Sequence, residues 1–530
     1  MLKLEQMTPE QKIGRILCFR RFDTEDDIQF TLEMIKKQAC GALQILFNDK
    51  TAERIKMFRE AADYPLLVIA DMERGVPLSD IPSTPLLNMS AADNLEYARA
   101  FAAHTASEAK KLGYSGCWGP VLDILRVSAP GYVSRVAADN PEQAYKITRE
   151  IFKVFASYNF QGTGKHYPGG MDCEMDTHMV GAYSDVTEEE LLNFDLVPYL
   201  KLMEEGIIPA IMTDHSIFKN IDPDRPASLS KKVIDIIRSR GFDGVLYTDS
   251  LAMMAILQTF GEKRAHSMAL MAGNDIVLPN YRTPTRKIYE MMLEEYRDGF
   301  ITDERLDEAV RRVMKLEEYC ARVPENPVAP PADIVEVMKN CARDSVTAEC
   351  DEGVSEAIEN PEKSRLFVAV IPQNESTDTI GAEVEVDVKY SPSAIVNAVK
   401  ENFPSSEVVF LHEYPTPMEN ERVLVAASKF DEVVFVTSCQ SGAYAGTDCL
   451  TRRVESVINS LVMSGKVKAL LHYGNPLALG NIFPVPRKLL MYSAPAAIPC
   501  AFEILAGKYS AKGKNPLSNA MKKYRYNENK

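Results

Sequence analysis

The chain has 530 residues, a formal net charge of −15 and 46% hydrophobic residues, which are the proportions of a globular protein with two or three domains. The acidic balance argues against nucleic acid or an anionic membrane as a partner, because phosphate groups repel a negative surface. The N-terminal segment has no apolar leader, no apolar run is long enough to span a membrane, and the ten cysteines form no CxxC pair. These features predict a cytoplasmic protein with reduced thiols.

The first half of the chain alternates short apolar runs with amphipathic helical patterns. Thr8 and Pro9 predict the start of a helix that runs through about Cys18. Apolar runs without alternation are typical of parallel strands covered on both faces. We predict strands at residues 41–47, 65–71, 116–123, 162–168, 208–214, 244–249 and 275–279, and helices at residues 93–112, 141–158, 188–205 and 231–240. This order predicts an N-terminal TIM-like (β/α)8 barrel.

A proline-rich segment divides the chain into two predicted domains. Four prolines occur within residues 324–331, a composition typical of a semi-rigid linker. We predict a barrel domain at residues 1–323, a linker with a connecting helix at 324–346 and a C-terminal α/β sandwich domain at 347–530. In the C-terminal domain, five apolar runs alternate with helical patterns, as in an open doubly wound sheet: residues 365–372, 406–412, 431–438, 466–474 and 488–494.

Charged residues end the predicted strands of the barrel domain. The C-terminal ends of barrel strands form the active site in enzymes of this fold. Exposure to solvent at a strand end is the alternative explanation for a charged residue there. It explains a single charged strand end more easily than a whole set of them. The set consists of Asp71, Asp123, Lys165, His166, Asp214, His215 and Asp249.

The segment at residues 162–180 is the richest in titratable side chains. It contains Asp176 two residues before His178, and a carboxylate at this spacing can hold one imidazole nitrogen while the other transfers protons. An ordinary ion pair on a polar loop is the alternative for this spacing alone. The context at a strand end favours a catalytic pair.

Several motifs together resemble glycoside hydrolase family 3, in its β-N-acetylhexosaminidase branch. That branch carries the motif K-H-F-P-G-H-G-D-T-x-x-D-S-H, and residues 165–178, KHYPGGMDCEMDTH, match it in register. Further matches are GFDGVLYTDSLAM at 241–253, PVLD at 120–123, DLVPY at 195–199 and YGNPLAL at 473–479. The resemblance covers nearly the whole chain.

The resemblance implies a role for each candidate residue. Asp249 aligns with the nucleophile of a retaining enzyme, and His178, oriented by Asp176, aligns with the general acid/base. The residues that align with sugar-binding positions are Asp71, Arg135, Lys165 and His166, whereas Asp123 is either a sugar-binding or a structural residue. An exo-acting β-N-acetylhexosaminidase without cofactor or metal is implied, with a small β-glycoside as substrate.

Departures from the family pattern leave alternatives open. Gly170 and Met171 replace His-Gly, residues 71–77 read DMERGVP, and residues 136–138 read VAA. The substrate could therefore be a β-glucoside or a β-xyloside. A phosphorylase or transglycosylase is a second alternative, because a histidine acid/base adds no negative charge to repel phosphate, and Arg74, Arg135 or Lys165 could assist.

Two further readings have less support in the sequence. One is a metal-dependent hydrolase that uses His166, Asp172, Asp176, His178 and Asp249, and the other is a non-catalytic sugar-binding relative. The aglycone, a homo-oligomeric state and a contribution of the second domain to the active site stay open at this stage.

Overall fold

A computed structural model describes residues 2–77, 79, 81–128, 131–170, 172, 180–372, 390, 392–440 and 449–524. The chain divides into two compact units. The first unit consists of Met1–Asp80, Ala98–Arg126 and Pro141–Ile334, and the second of Ile81–Tyr97, Val127–Asn140 and Val335–Lys530. Both units mix helices and strands, so the predicted α/β class is confirmed.

The described residues of the first unit form nine strands. In chain order they are β1 (Cys18–Phe19), β2 (Ala42–Gln44), β3 (Leu67–Asp71), β4 (Gly116–Trp118), β5 (Thr163–Tyr167), β6 (Tyr183–Ser184), β7 (Ala210–Thr213), β8 (Ile217–Phe218) and β9 (Val245–Thr248). Strands β1 to β4 form one parallel sheet, β5, β7 and β9 form a second, and β6 pairs with β8.

These ladders form open sheets, and no closed barrel is present in the ladders of the described residues. Single bridges join Gly116 to Gln161 beside β4 and β5, and Leu17 to Val277 beside β1. The run predicted as a strand at 275–279 makes only single bridges, with Leu17 and Tyr247. The finer prediction of a closed barrel therefore stays a prediction.

Side chains from both larger sheets share one hydrophobic core. Leu67 of β3, Trp118 of β4, Met212 of β7 and Tyr247 of β9 are buried in the same cluster. Burying a large apolar side chain contributes about 1.5–3 kcal/mol, so this cluster fixes the strands whose C-terminal ends carry the charged residues.

The helices of the first unit follow the predicted pattern with two differences. The first helix ends at Arg15 instead of Cys18, because Gly14 packs against the backbone of Ala39 and the chain then enters β1. The helix predicted at 188–205 is interrupted, since Pro198 lacks the N–H that would continue the regular pattern. The helices are Pro9–Arg15, Glu25–Lys36, Thr51–Ala61, Leu95–Leu112, Pro141–Ser157, Glu188–Glu190, Val197–Glu204, Lys231–Arg238, Met254–Phe260, Glu262–Ala272, Thr285–Arg297 and Asp303–Ala321, with a π-helical turn at Leu191–Asp195 and 3-10 turns at Leu4–Gln6 and Ala227–Leu229.

In the described residues, the second unit is built on one six-stranded sheet. Its strands are β10 (Thr347–Cys350), β11 (Leu366–Ile371), β12 (Glu407–His412), β13 (Val433–Cys439), β14 (Val467–Gly474) and β15 (Arg487–Tyr492). The order is β10-β15-β14-β13-β11-β12, and all pairs are parallel except β10 with β15. Strand β10 was not predicted, because it has only four residues and these are of mixed polarity.

Helices cover the sheet of the second unit, whose core includes Phe367 and Val434 from the strands and Ile395 and Phe502 from helices. The helices are Leu86–Ala92, Ile334–Ser345, Pro392–Asn402, Pro417–Ser428, Arg452–Met463, Ala497–Leu505 and Ser518–Tyr524, with a 3-10 turn at Pro476–Leu479. Residues 441–448, SGAYAGTD in the sequence, lie outside the described residues.

The second unit also takes in two segments from the first half of the chain. Asn88 donates hydrogen bonds to Ser345 Oγ at 2.8 Å and to Met491 O at 3.0 Å, and Asp139 Oδ2 accepts from Ala520 N at 2.7 Å. The predicted boundaries at 1–323 and 347–530 describe contiguous stretches and stay a prediction.

In the described part of the chain, no helix is both long enough and apolar enough to cross a bilayer. The cytoplasmic location stays a prediction from the sequence.

Candidate active site

Asp249 directly follows β9, and its side chain is 26% exposed. Its backbone N–H donates to Thr213 O at 2.9 Å, which joins the strand end to β7. Its Oδ1 accepts a hydrogen bond from Ser250 N at 2.6 Å. The carboxylate is therefore held in one orientation at the C-terminal end of the sheet.

The surroundings of Asp249 keep it ionised. Burial raises its pKa, but the positive charges of His166, His215 and Lys165, together with the Ser250 N–H, lower the pKa to about 2. At neutral pH the side chain is a carboxylate, which is the form that a nucleophile requires.

His166 lies between two carboxylates. Its backbone N–H donates to Asp123 Oδ1 at 3.0 Å, and its ring Nδ1 lies 2.7 Å from Asp123 Oδ2. The other ring nitrogen, Nε2, lies 3.9 Å from Asp249 Oδ2. Because both oxygens of Asp123 contact His166, we interpret Asp123 as a residue that positions this imidazole.

Lys165 is almost completely buried beside two acidic side chains. Its Nζ lies 2.7 Å from Asp71 Oδ1 and 2.6 Å from Glu73 Oε1. Asp71 is 53% exposed, so one carboxylate of this group faces solvent. The structure thus brings together five of the predicted site residues, namely Asp71, Asp123, Lys165, His166 and Asp249.

The sequence model for the N-terminal domain of glycosyl hydrolase family 3 matches residues 8–316. The chain belongs to glycosyl hydrolase family 3. The resemblance recognised in its motifs is confirmed, and the chain is a glycoside hydrolase.

Several curated relatives each align with about half of the chain. The chain is 29% identical over 260 residues to a β-hexosaminidase of Tolumonas auensis, covering 46% of this chain and 77% of that protein. It is 30% identical over 245 residues to a β-hexosaminidase of Xanthomonas oryzae pv. oryzae, covering 44% and 72%. A β-N-acetylglucosaminidase/β-glucosidase of Cellulomonas fimi is 24% identical over 329 residues, and the chain spans 58% of its length.

Two solved structures share the fold over nearly the whole chain. A β-N-acetylglucosaminidase from a Paenibacillus strain superposes with a TM-score of 0.80 at 22% identity, covering 96% of this chain and 99% of that one. A β-glucoside phosphorylase superposes with a TM-score of 0.79 at 20% identity, covering 97% and 94%.

The other three predicted site residues of this family 3 enzyme are Arg135, Asp176 and His178. Asp176 and His178, the predicted acid/base pair, lie outside the described residues. Arg135 lies in Val127–Asn140, which belongs to the second unit. Its guanidinium is 5.7 Å from the ring centre of Tyr132, and its sugar-binding role stays a prediction.

The turn that leads toward the segment of Asp176 and His178 is anchored to buried groups. Gly170 has a φ of 71°, and its N–H donates to Asp195 Oδ1 at 3.0 Å. A Cβ at Gly170 would lie 2.8 Å from the ring of Phe218, so only glycine fits there. Asp195 is in turn paired with Arg126, whose Nε donates to Oδ1 at 3.0 Å.

Glu73, which pairs with Lys165, was not among the site residues predicted from the sequence. It lies two positions after Asp71, and residues at that spacing in an extended segment point to the same side. This spacing could have predicted Glu73 as a site residue.

Two side chains hold Ser250, whose N–H binds the Asp249 carboxylate. His215 Nε2 donates to Ser250 O at 3.0 Å, and His215 Nδ1 lies 2.7 Å from Ser228 Oγ. Arg20 Nη1 donates to Ser250 Oγ at 2.8 Å. His215 was predicted only as a strand-end residue, and Arg20 was missed because the sequence pattern placed the preceding residues in a helix.

Within the described residues, no group of three or more His, Cys, Asp or Glu side chains is arranged to hold a metal ion.

Proposed function

We propose that the chain is a retaining, exo-acting β-N-acetylhexosaminidase in which Asp249 is the nucleophile. Asp249 attacks the anomeric carbon and forms a covalent glycosyl-enzyme, which an acceptor then releases. The observation that carries this proposal is the Asp249 carboxylate, ionised, fixed by Ser250 N and 3.9 Å from His166. A carboxylate in this state needs no base to activate it.

His178, oriented by Asp176, is proposed as the general acid/base. It protonates the leaving oxygen and then deprotonates the acceptor. The match of residues 165–178 to the family motif supports this assignment. A separate acid is also needed, because the two ring nitrogens of His166 already face Asp123 and Asp249.

The sugar is proposed to bind over the buried Lys165 group. Asp71, Glu73, Lys165 and His166 offer polar donors and acceptors to its hydroxyls. A sugar-binding role of Arg135 is proposed from the resemblance to the family motif alone. Fixed polar groups of this kind orient a substrate and reject analogues that leave them unpaired. The names of the curated relatives, β-hexosaminidases, support an N-acetylhexosaminide as the substrate.

The finer architecture is also a proposal. We propose that the two larger sheets of the first unit form a distorted (β/α)8 barrel that closes through single bridges. The shared core of both sheets and the bridges Gly116–Gln161 and Leu17–Val277 support this arrangement. The second unit is proposed to be the α/β sandwich domain.

A panel of 4-nitrophenyl β-glycosides (GlcNAc, glucose and xylose), assayed with and without inorganic phosphate, tests substrate and acceptor together. Asp249→Ala should abolish turnover of every substrate, and His178→Ala should spare substrates with activated leaving groups. Equal loss on good and poor leaving groups would refute the acid role of His178. Full activity in EDTA would dismiss the metal-dependent alternative.

A further inference from the structure

Arg20, beside the nucleophile, has no carboxylate within salt-bridge distance among the residues that the structure describes. Its Nη1 donates to Ser250 Oγ at 2.8 Å and lies 3.4 Å from Pro279 O. Burial lowers its pKa, whereas the negative charges of Asp71 and Asp249 act in the opposite direction. The guanidinium therefore lies within electrostatic reach of both carboxylates without being bonded to either.

A second arginine approaches the same aromatic ring. The guanidinium carbon of Arg282 lies 4.6 Å from the ring centre of Tyr281, and that of Arg20 lies 5.3 Å from it. Arg282 is exposed, and its Nη1 lies 3.4 Å from Ala252 O, three residues after Asp249. No carboxylate in the described part of the chain pairs with it. Both arginines thus flank the segment that follows the nucleophile.

The hydrogen-bonding capacity of this pair is only partly used. A guanidinium carries five N–H donors, yet the side-chain hydrogen bonds of Arg20 and Arg282 within the described residues all come from Nη1. The remaining Nε and Nη2 edge is the one that binds carboxylate or phosphate oxygens in pairs.

Neighbouring arginines are neutralised in a way that this pair is not. Arg21 donates to Asp27 at 3.2 Å, and Arg286 lies 3.3 Å from Asp26. In a chain with a net charge of −15, two guanidinium groups at one tyrosine ring, neither with an acidic partner among the described residues, form a local positive site. An anion bound there would be next to Asp249, where the arginines offset its repulsion by the nucleophile.

We propose that Arg20, Tyr281 and Arg282 form an anion subsite that binds a carboxylate or phosphate group beside Asp249. The inference rests on the proposed function of Asp249. The group belongs either to the substrate or to inorganic phosphate acting as acceptor. In the second case a phosphate oxygen bonds to the anomeric carbon as the bond from that carbon to Asp249 breaks. The electron pair returns to the carboxylate, and sugar 1-phosphate leaves.

Three probes separate these sources. The first is 4-nitrophenyl β-N-acetylglucosaminide with and without inorganic phosphate, with the products analysed for sugar 1-phosphate. The second is the same glycoside carrying a carboxylate on the aglycone, and the third carries a 6-phosphate on the sugar. Calorimetric titration of inorganic phosphate measures binding independently of turnover.

The matched variants are Arg282→Gln, Arg282→Lys and the control Arg286→Gln. We expect the wild-type enzyme to favour at least one anionic probe, measured as the ratio of its kcat/KM to that of the neutral substrate. Arg282→Gln should lower this ratio about tenfold, the effect of one lost charge-assisted hydrogen bond. Arg282→Lys should recover part of the ratio, and Arg286→Gln should keep it. Using the ratio cancels differences in leaving-group reactivity between the substrates.

Two results would overturn the inference. The first is that the enzyme favours no anionic probe, binds no phosphate and gives the same products with and without phosphate. The second is that Arg282→Gln leaves the ratio at its wild-type value. If the wild-type enzyme turned over none of the neutral glycosides, the proposed function itself would be refuted.

Discussion

Replacing His166 with glutamine should raise the pKa of the nucleophile. An amide can keep a hydrogen bond to Asp123 but carries no charge. His166 Nε2 lies 3.9 Å from Asp249 Oδ2, and two unit charges about 4 Å apart interact by about 4 kcal/mol at an effective dielectric constant of about 20. Because Asp249 is 26% exposed, solvent screening reduces this to about 2 kcal/mol, or about 1.5 pKa units.

The pKa of Asp249, about 2 in the wild-type enzyme, should therefore rise in His166→Gln. The nucleophile is active as the carboxylate, so activity is lost as the pH falls through its pKa, and the acid limb of kcat/KM should move to higher pH. The assay uses a 2,4-dinitrophenyl glycoside, whose departure needs no acid, with folding at each pH monitored by circular dichroism.

The control is His412→Gln, which removes a histidine paired with Glu419 in the second unit. It should leave the profile in place. An acid limb that stays at the wild-type pH in a folded His166→Gln enzyme would refute the assigned interaction between the imidazole and the nucleophile.

Three further substitutions and one control variant test other parts of the structure. Lys165→Met leaves two carboxylates facing each other at the sugar site and should lower kcat/KM about a hundredfold, measured by steady-state kinetics; an unchanged value would exclude Lys165 from the site. Asp275→Asn removes a buried charge shared by three arginines and should lower the free energy of unfolding in urea by about 3–5 kcal/mol. The control Asp243→Asn, at a side chain 63% exposed, should lower it by less than about 1 kcal/mol. Equal losses of stability would contradict the burial argument. Gly170→Ala should lower the free energy of unfolding by about 1–2 kcal/mol, because its φ of 71° is unfavourable for alanine. It should reduce turnover of substrates with poor leaving groups more than of substrates with activated ones. An equal reduction for both would show that this turn has no part in acid catalysis.

The strand-end rule predicted much of the site. The strands predicted at 65–71, 162–168 and 244–249 coincide with β3, β5 and β9. Their charged residues, Asp71, Lys165, His166 and Asp249, lie together in the structure. This worked because the C-terminal ends of parallel strands lie at one edge of a sheet.

Other features depend on tertiary contacts that no local pattern carries. Strand β1 has two residues, too few to show any periodicity, and Arg20 was lost with it. The single bridges at Ile276 and Val277 replace a predicted ladder, although the apolar run there looks like the others. The inclusion of Arg135 in the second unit reflects contacts such as Asp139 with Ala520, which join residues far apart in the chain.

The central claim is that the Asp249 carboxylate forms the covalent bond to the sugar. A 5-fluoro glycosyl fluoride of the preferred sugar, which forms the glycosyl-enzyme faster than it is released, allows peptide mass mapping of the trapped enzyme. The account predicts one added glycosyl group on the peptide that contains Asp249, and none in Asp249→Ala. A label on another carboxylate, or turnover of the reagent with inversion and no label, would contradict it.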